Sequence, residues 1–250
     1  MQKLFINQRW QEGHGDVFRS HNPATGDLVW EGREANDSDV TEAFNAARKA
    51  FPGWSSLPLE KRTAFIEQFK DKLKQNEKKF AETISRETGK PLWESQNEIQ
   101  SMINKIDISI RAYQQRCPDV YKNLPQAASV TRHKPHGVLL VLGPFNFPNH
   151  LPNGHIVPAL LAGNTLVFKP SEKTPLSAEM MIHAWEEAGL PAGVINLVQG
   201  GATTGKLCLN NAELDGALLQ EVGKQEKHSP HFLPASHGKF LRLKWEETTL

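Results

Sequence analysis

An α/β chain built on an open parallel sheet is predicted by three features of the sequence. From residue 138 onward, short apolar runs alternate with helical stretches. The runs Val138–Leu142, Thr165–Phe168, Val194–Val198 and Leu214–Leu218 are unbroken rather than alternating, the pattern of strands buried on both faces. Between the second and third runs, Thr174-Pro175 opens and Gly189 closes a helix long enough for a parallel crossover. Right-handed connections follow as the default.

The upstream elements are read in the same way. Residues 1–35 predict short strands: Leu4-Phe5-Ile6-Asn7 runs into a turn, and His21 to Gly26 has turn chemistry. A helix begins near Asp37 with Val40, Phe44, Ala47 and Phe51 on one face, and Pro52-Gly53 is expected to stop it. A second helix follows Pro58 and buries Phe65, Ile66, Phe69 and Leu73. Its lysines from Lys70 onward form the solvated side. A third carries Phe80 and Ile84 and ends at Thr88-Gly89-Lys90-Pro91. A fourth, from about Trp93 to Tyr113, has Ile99, Met102, Ile103, Ile106 and Ile110 at core spacing. Residues 117–137 contain prolines and a Val130-Thr131-Arg132-His133 alternation, which predicts a hairpin leaving the main body.

Composition narrows the function classes. The formal charge is +1, from 29 basic and 28 acidic residues, so nothing steers the chain to nucleic acid or an anionic membrane. Two cysteines, Cys117 and Cys208, suit a reducing cytoplasm better than a disulfide scaffold. The first residues lack a secretory apolar stretch, and no run reaches the ~20 apolar residues of a membrane span. A cytoplasmic protein without nucleic-acid or membrane partners is expected.

Ligands of a doubly wound sheet bind at the carboxyl ends of its strands. Leu142-Gly143-Pro144-Phe145-Asn146 lies at such an end. Gly143 permits close backbone approach and Pro144 stiffens the turn. The Asn146 amide is a neutral donor suited to a developing oxyanion, or it braces its own loop. Lys169 and Glu172 end the next strand. A carboxylate there can accept both ribose hydroxyls and would repel a 2′-phosphate, favouring NAD over NADP. The bland alternative is a surface ion pair or a helix-start acid. No G-x-G-x-x-G is present; Gly200 and Gly201 make a strand-to-helix turn instead. Cys208 sits among apolar neighbours as a structural thiol, and Cys117 lacks an activating context. His228, His231 and His237 lack partners at metal-ligand spacing, so no metal is expected.

Several of these stretches are similar to the aldehyde dehydrogenase superfamily. They are Asn22-Pro23-Ala24-Thr25-Gly26, Glu87-Thr88-Gly89-Lys90-Pro91, Pro144-Phe145-Asn146-Phe147-Pro148 and Lys169-Pro170-Ser171-Glu172. The run from Asn149 to Asn164, with Phe145 before Asn146, resembles one branch, the succinylglutamate semialdehyde dehydrogenases of bacterial arginine catabolism. The resemblance covers about Leu4 to Leu218. It implies a Rossmann-like NAD-binding domain, a bridging hairpin, a separate catalytic domain and a homo-oligomer. It implies oxidation of a small aldehyde to a carboxylate by a cysteine thiolate, NAD and a water-activating glutamate. Asn146 takes the place of the oxyanion asparagine. Leu142, Gly143, Pro144, Phe145, Lys169 and Glu172, with Gly200 and Gly201 near the adenine, fall on the cofactor side.

On this plan residues 1–116 are the N-terminal part of the NAD-binding domain and 117–137 the bridging arm. Residues 138–218 are the Rossmann-like core, and 219–250 an aberrant tail, expected to be disordered. The family's Phe-Thr-Gly-Ser motif should follow Leu218, where the chain reads Leu219-Gln220-Glu221-Val222. Codons that encode these residues give Phe-Thr-Gly-Ser when displaced by one base, and those for Trp245 to Thr249 and the residues before them permit Leu-Glu-Met-Gly-Gly. The expectation is a truncated enzyme, frameshifted after about residue 218 and inactive alone. Neither the nucleophilic cysteine nor the general-base glutamate has a counterpart in it. The alternatives are a non-catalytic nucleotide-binding or assembly fragment, and another aldehyde dehydrogenase branch.

Overall fold

The structure is a computed structural model that describes residues 4–125, 127–221 and 240–245. It is α/β. Strands β1 (Leu4–Ile6) and β2 (Arg9–Gln11) form a hairpin whose turn residues, Asn7 and Gln8, both take left-handed backbone. Strands β3 (Val17–His21) and β4 (Leu28–Arg33) form a separate antiparallel pair. Four helices follow: α1 (Asp37–Ser56), α2 (Leu59–Gln75), α3 (Glu77–Thr88) and α4 (Leu92–Arg116). A second hairpin, β5 (Val120–Leu124) and β6 (Ala127–Thr131), is exposed along its length. The parallel unit then runs β7 (Val138–Leu142), α5 (His150–Leu161), β8 (Thr165–Lys169), α6 (Pro175–Glu187), β9 (Ile195–Leu197), α7 (Ala202–Asn210) and β10 (Gly216–Glu221).

The main sheet has the order β11-β10-β7-β8-β9-β1-β2, where β11 is Phe240–Trp245. Its strands are parallel from β11 to β9, and β1 joins β9 antiparallel. The chain steps outward from β7 to β8 and β9, then returns to the other side of β7 for β10. That reversal is a topological switch point, and it opens a crevice beyond the carboxyl end of β7.

The unbroken apolar strands are explained by two cores. Leu139 and Val141 face one way, into a cluster with α2 to α6. Val138 and Leu140 face the other way, into a cluster with α1 and α7. α5 is buried almost all round because it lies between α4 and the sheet.

Three sequence expectations need correction. Pro52-Gly53 does not stop α1, which runs on to Ser56. Proline removes one hydrogen bond there, but Trp54 is 2% exposed and its indole N–H donates to Leu160 O at 3.2 Å, so packing holds the last turn. Thr174 occupies the N-cap of α6, yet its hydroxyl makes no capping bond. The cap comes from a distant carboxylate described below. Finally, the 219–250 tail, expected to be disordered, is strand in both of its described stretches. β10 continues to Glu221, and the alternating Phe240–Trp245 run pairs parallel with the open edge of β10. The rest of that segment, including the three histidines and Pro230, Pro234 and Gly238, lies outside the described residues.

Candidate functional site

The loop after β7 lies at the switch point, its residues 143–147 half-buried apart from the exposed Phe145. Gly143 N–H donates to Lys169 O at 2.9 Å, which ties the ends of β7 and β8 together. A side-chain carbon at Gly143 would come within 3.0 Å of the Phe168 ring and 3.3 Å of Pro170 Cα, so only glycine fits without displacement. Phe145 is 47% exposed with the Lys173 ammonium 4.5 Å from its ring centroid. Phe147 has the Lys90 ammonium 3.6 Å from its own. Asn146 stands between these two covered rings. Its Oδ1 is buried without a partner, and its side chain makes no hydrogen bond to any described residue. An asparagine that braced its own loop would use this amide.

Lys169 closes β8 and is 7% exposed, with Nζ donating to Pro170 O at 2.7 Å. Burial pulls its pKa below the ordinary lysine value, against Glu172, Cys208 and Glu34, which raise it. Glu172 is exposed, and its carboxylate has no hydrogen bond or ion pair among the described residues. Gly200 and Gly201 form the turn from β9 into α7. Gly200 has φ 147, where a side chain is strained and would meet Thr204 Oγ1 at 2.2 Å. Gly201 is the N-cap of α7, and Gly205 in the first turn lies against the Lys169 stem. The fold therefore gathers the predicted residues of β7, β8 and the Gly200-Gly201 turn along one edge. A cleft of about 380 Å³ beside it is lined by Phe145 and Glu172 of these residues, together with Ser20, Glu87, Lys173 and Thr174 among others, and does not reach Asn146, Lys169 or the Gly200-Gly201 turn.

Three carboxylates at this edge were not foreseen. Glu98 of α4 accepts the backbone N–H groups of Asn149 and His150 at 3.1 and 3.2 Å, capping α5, and pairs with Lys90 at 3.1 Å. Glu87 of α3 accepts from Leu176 N–H at 2.8 Å, Ser177 N–H at 2.7 Å and the Ser177 hydroxyl at 2.6 Å, capping α6. Glu34 accepts from Gly201 N–H at 3.1 Å, capping α7. Burial pushes the Glu87 carboxyl up to about 7, against the pull of its Ser177 and Leu176 donors. Burial also raises that of Glu98, against Lys90. One signal was available in the sequence: Glu87 and Glu98 fall on the apolar stripes of their helices, beside Ile84 and Met102 at helical spacing.

The family model for the aldehyde dehydrogenase family matches residues 10–220. The chain belongs to the aldehyde dehydrogenase family. It is 53% identical over 216 residues to an N-succinylglutamate 5-semialdehyde dehydrogenase of Salmonella heidelberg, covering 86% of this chain and 44% of that protein. The chain spans about half the length of the curated relatives it matches. Among solved members it superposes on the NADP-dependent glyceraldehyde-3-phosphate dehydrogenase of Bacillus halodurans complexed with NADP. The TM-score is 0.83 at 26% identity, covering 87% of this chain and 48% of that one. It also superposes on the betaine aldehyde dehydrogenase of Staphylococcus aureus in complex with NAD+. There the TM-score is 0.82 at 28% identity, covering 88% and 46%. Aldehyde dehydrogenase neighbours thus hold either dinucleotide on this fold. Among the described residues no helix is long and apolar enough to cross a membrane.

Proposed function

We propose that these residues form the nucleotide-holding part of an NAD-dependent dehydrogenase that oxidises N-succinylglutamate 5-semialdehyde to N-succinylglutamate. The observation that carries the reading is the unpartnered Asn146 amide at the switch point, one strand away from Lys169 and Glu172. The residues present suit a dinucleotide. Gly143 leaves room for backbone approach, Glu172 has both carboxylate oxygens free for a ribose diol, and Lys169 adds a buried donor. Gly200 and Gly201 would border the adenine, while Leu142, Pro144 and Phe145 line the nicotinamide side. When bound, NAD accepts the hydride removed from the aldehyde carbon. Asn146 donates to the oxygen that carries negative charge at that carbon.

The nucleophile has to come from elsewhere. Burial holds the Cys208 thiol at about 12, so it carries no thiolate at neutral pH. Cys117 is the C-cap of α4, followed by Pro118, and does not lie in a Gly-Gln-x-Cys setting. In this reading the chain alone binds NAD without oxidising aldehyde, and β5–β6 is the arm that joins it to further copies. The frame displacement after residue 218 belongs to the same reading. An intact codon boundary at 218–220, with no family motif in the displaced frame, removes that part of it.

The test is a calorimetric titration of the chain with NAD beside an assay for aldehyde-dependent NADH. Binding without turnover is expected. Turnover contradicts the assignment of the nucleophile, and absence of binding contradicts the site.

A further inference from the structure

We propose that Glu34 is a second determinant of which dinucleotide is held, rejecting a 2′-phosphate at the corner where Glu172 is the first. The proposal rests on the nucleotide-site reading above. Three elements meet at that corner. Lys169 ends β8, and the first turn of α7 lies on its stem: a side-chain carbon at Gly205 would stand 3.5 Å from Lys169 Cε. Glu34, just after β4, reaches the same turn from the N-terminal segment and takes the Gly201 N–H. A side-chain carbon on Gly201 would lie 3.3 Å from Glu34 Oε1, and one on Gly200 would lie 3.2 Å from Glu34 Cβ. Both Glu172 and Glu34 act electrostatically on the Lys169 ammonium.

The chemistry of the two ligands separates here. A ribose diol needs acceptors for its hydroxyls and tolerates a carboxylate. A 2′-phosphate needs donors and positive charge, for which a free helix N-terminus and an unopposed lysine are the ready sources. Glu34 weakens the first by taking the Gly201 N–H and placing a carboxylate at the α7 N-terminus. With Glu172 it also offsets the second, leaving two carboxylates acting on the Lys169 ammonium. Glu34 thus adds a second negative charge to that of Glu172 at the corner where a 2′-phosphate would lie. No element near the site in sequence announces it, since its partner lies 167 residues away.

The experiment is calorimetry of the full chain with NAD and NADP, for the wild type, Glu34→Gln, Glu172→Gln and the double variant, at low and high salt. Glutamine keeps an acceptor for Gly201 N–H, so folding is preserved, and circular dichroism checks it. Glu34→Gln is expected to raise the NADP/NAD affinity ratio roughly fivefold at low salt, with less gain at high salt as screening removes the charge effect. The double variant raises it further than either single change. If Glu172→Gln raises the ratio and Glu34→Gln does not, Glu34 only caps a helix and the proposal is overturned. If the wild type binds neither nucleotide, the site reading itself fails and the proposal goes with it.

Discussion

Helix α1 and the three helices at the carboxyl edge of the sheet begin in different ways. α1 carries its own cap: Asn36 Oδ1 accepts Asp39 N–H at 3.0 Å, and Asp39 returns the bond to Asn36 N–H at 3.0 Å. α5, α6 and α7 start on Glu98, Glu87 and Glu34, which lie 51, 89 and 167 residues from the amides they hold. A local cap stabilises one helix. A remote carboxylate also fixes where that helix begins relative to another element. The N-terminal segment therefore helps to shape the crevice, although the crevice itself belongs to the parallel unit.

The comparison breaks first at Glu87. Glu87→Ala leaves one buried and one half-buried amide and a buried hydroxyl of α6 without an acceptor, and should cost about 3–4 kcal/mol in urea unfolding. Asn36→Ala should cost about 1 kcal/mol. Equal losses would erase the distinction between local and remote caps. Titration sharpens it. The Glu87 carboxyl, pushed up to about 7 from 4.5, binds its proton more tightly folded than unfolded. Its contribution to stability is complete below about pH 4.5 and is lost as pH rises through about 7. The thermal midpoint should fall by roughly 5 °C across that window, and the fall should flatten in Glu87→Gln.

Gly143→Ala brings a carbon against Phe168, Pro152 and Pro170, neighbours that cannot swing away. It should cost about 1–2 kcal/mol and weaken NAD binding by displacing the Asn146 loop, read by calorimetry and unfolding together. The hairpin is the other extreme. Tyr121 is exposed, so Tyr121→Ala should change chain stability by less than about 0.5 kcal/mol.

The same contrast explains what was legible in the sequence. Val138–Leu142 was found at its observed bounds because a strand buried on both faces is written as an unbroken apolar run. The stop at Gly89 was found because a left-handed C-cap asks for glycine, and Gly89 has φ 74. The lines of Asn146, Lys169, Glu172 and Gly200 were legible as strand ends and turns. Local signals misled where packing overruled them. Pro52 does not end α1 because Trp54 is anchored on α5, and Thr174 is idle because Glu87 does its work. Glu34 could not be read at all, since nothing in a one-dimensional pattern links it to Gly201.

The most direct test of the central claim, that dinucleotide sits along the edge built by these caps, is hydrogen exchange of the full chain with and without NAD. The account predicts slower exchange at residues 142–147, 169–173 and 200–205, and none of that change in hairpin residues 120–131. Unchanged exchange at all three loops while NAD is bound would contradict it.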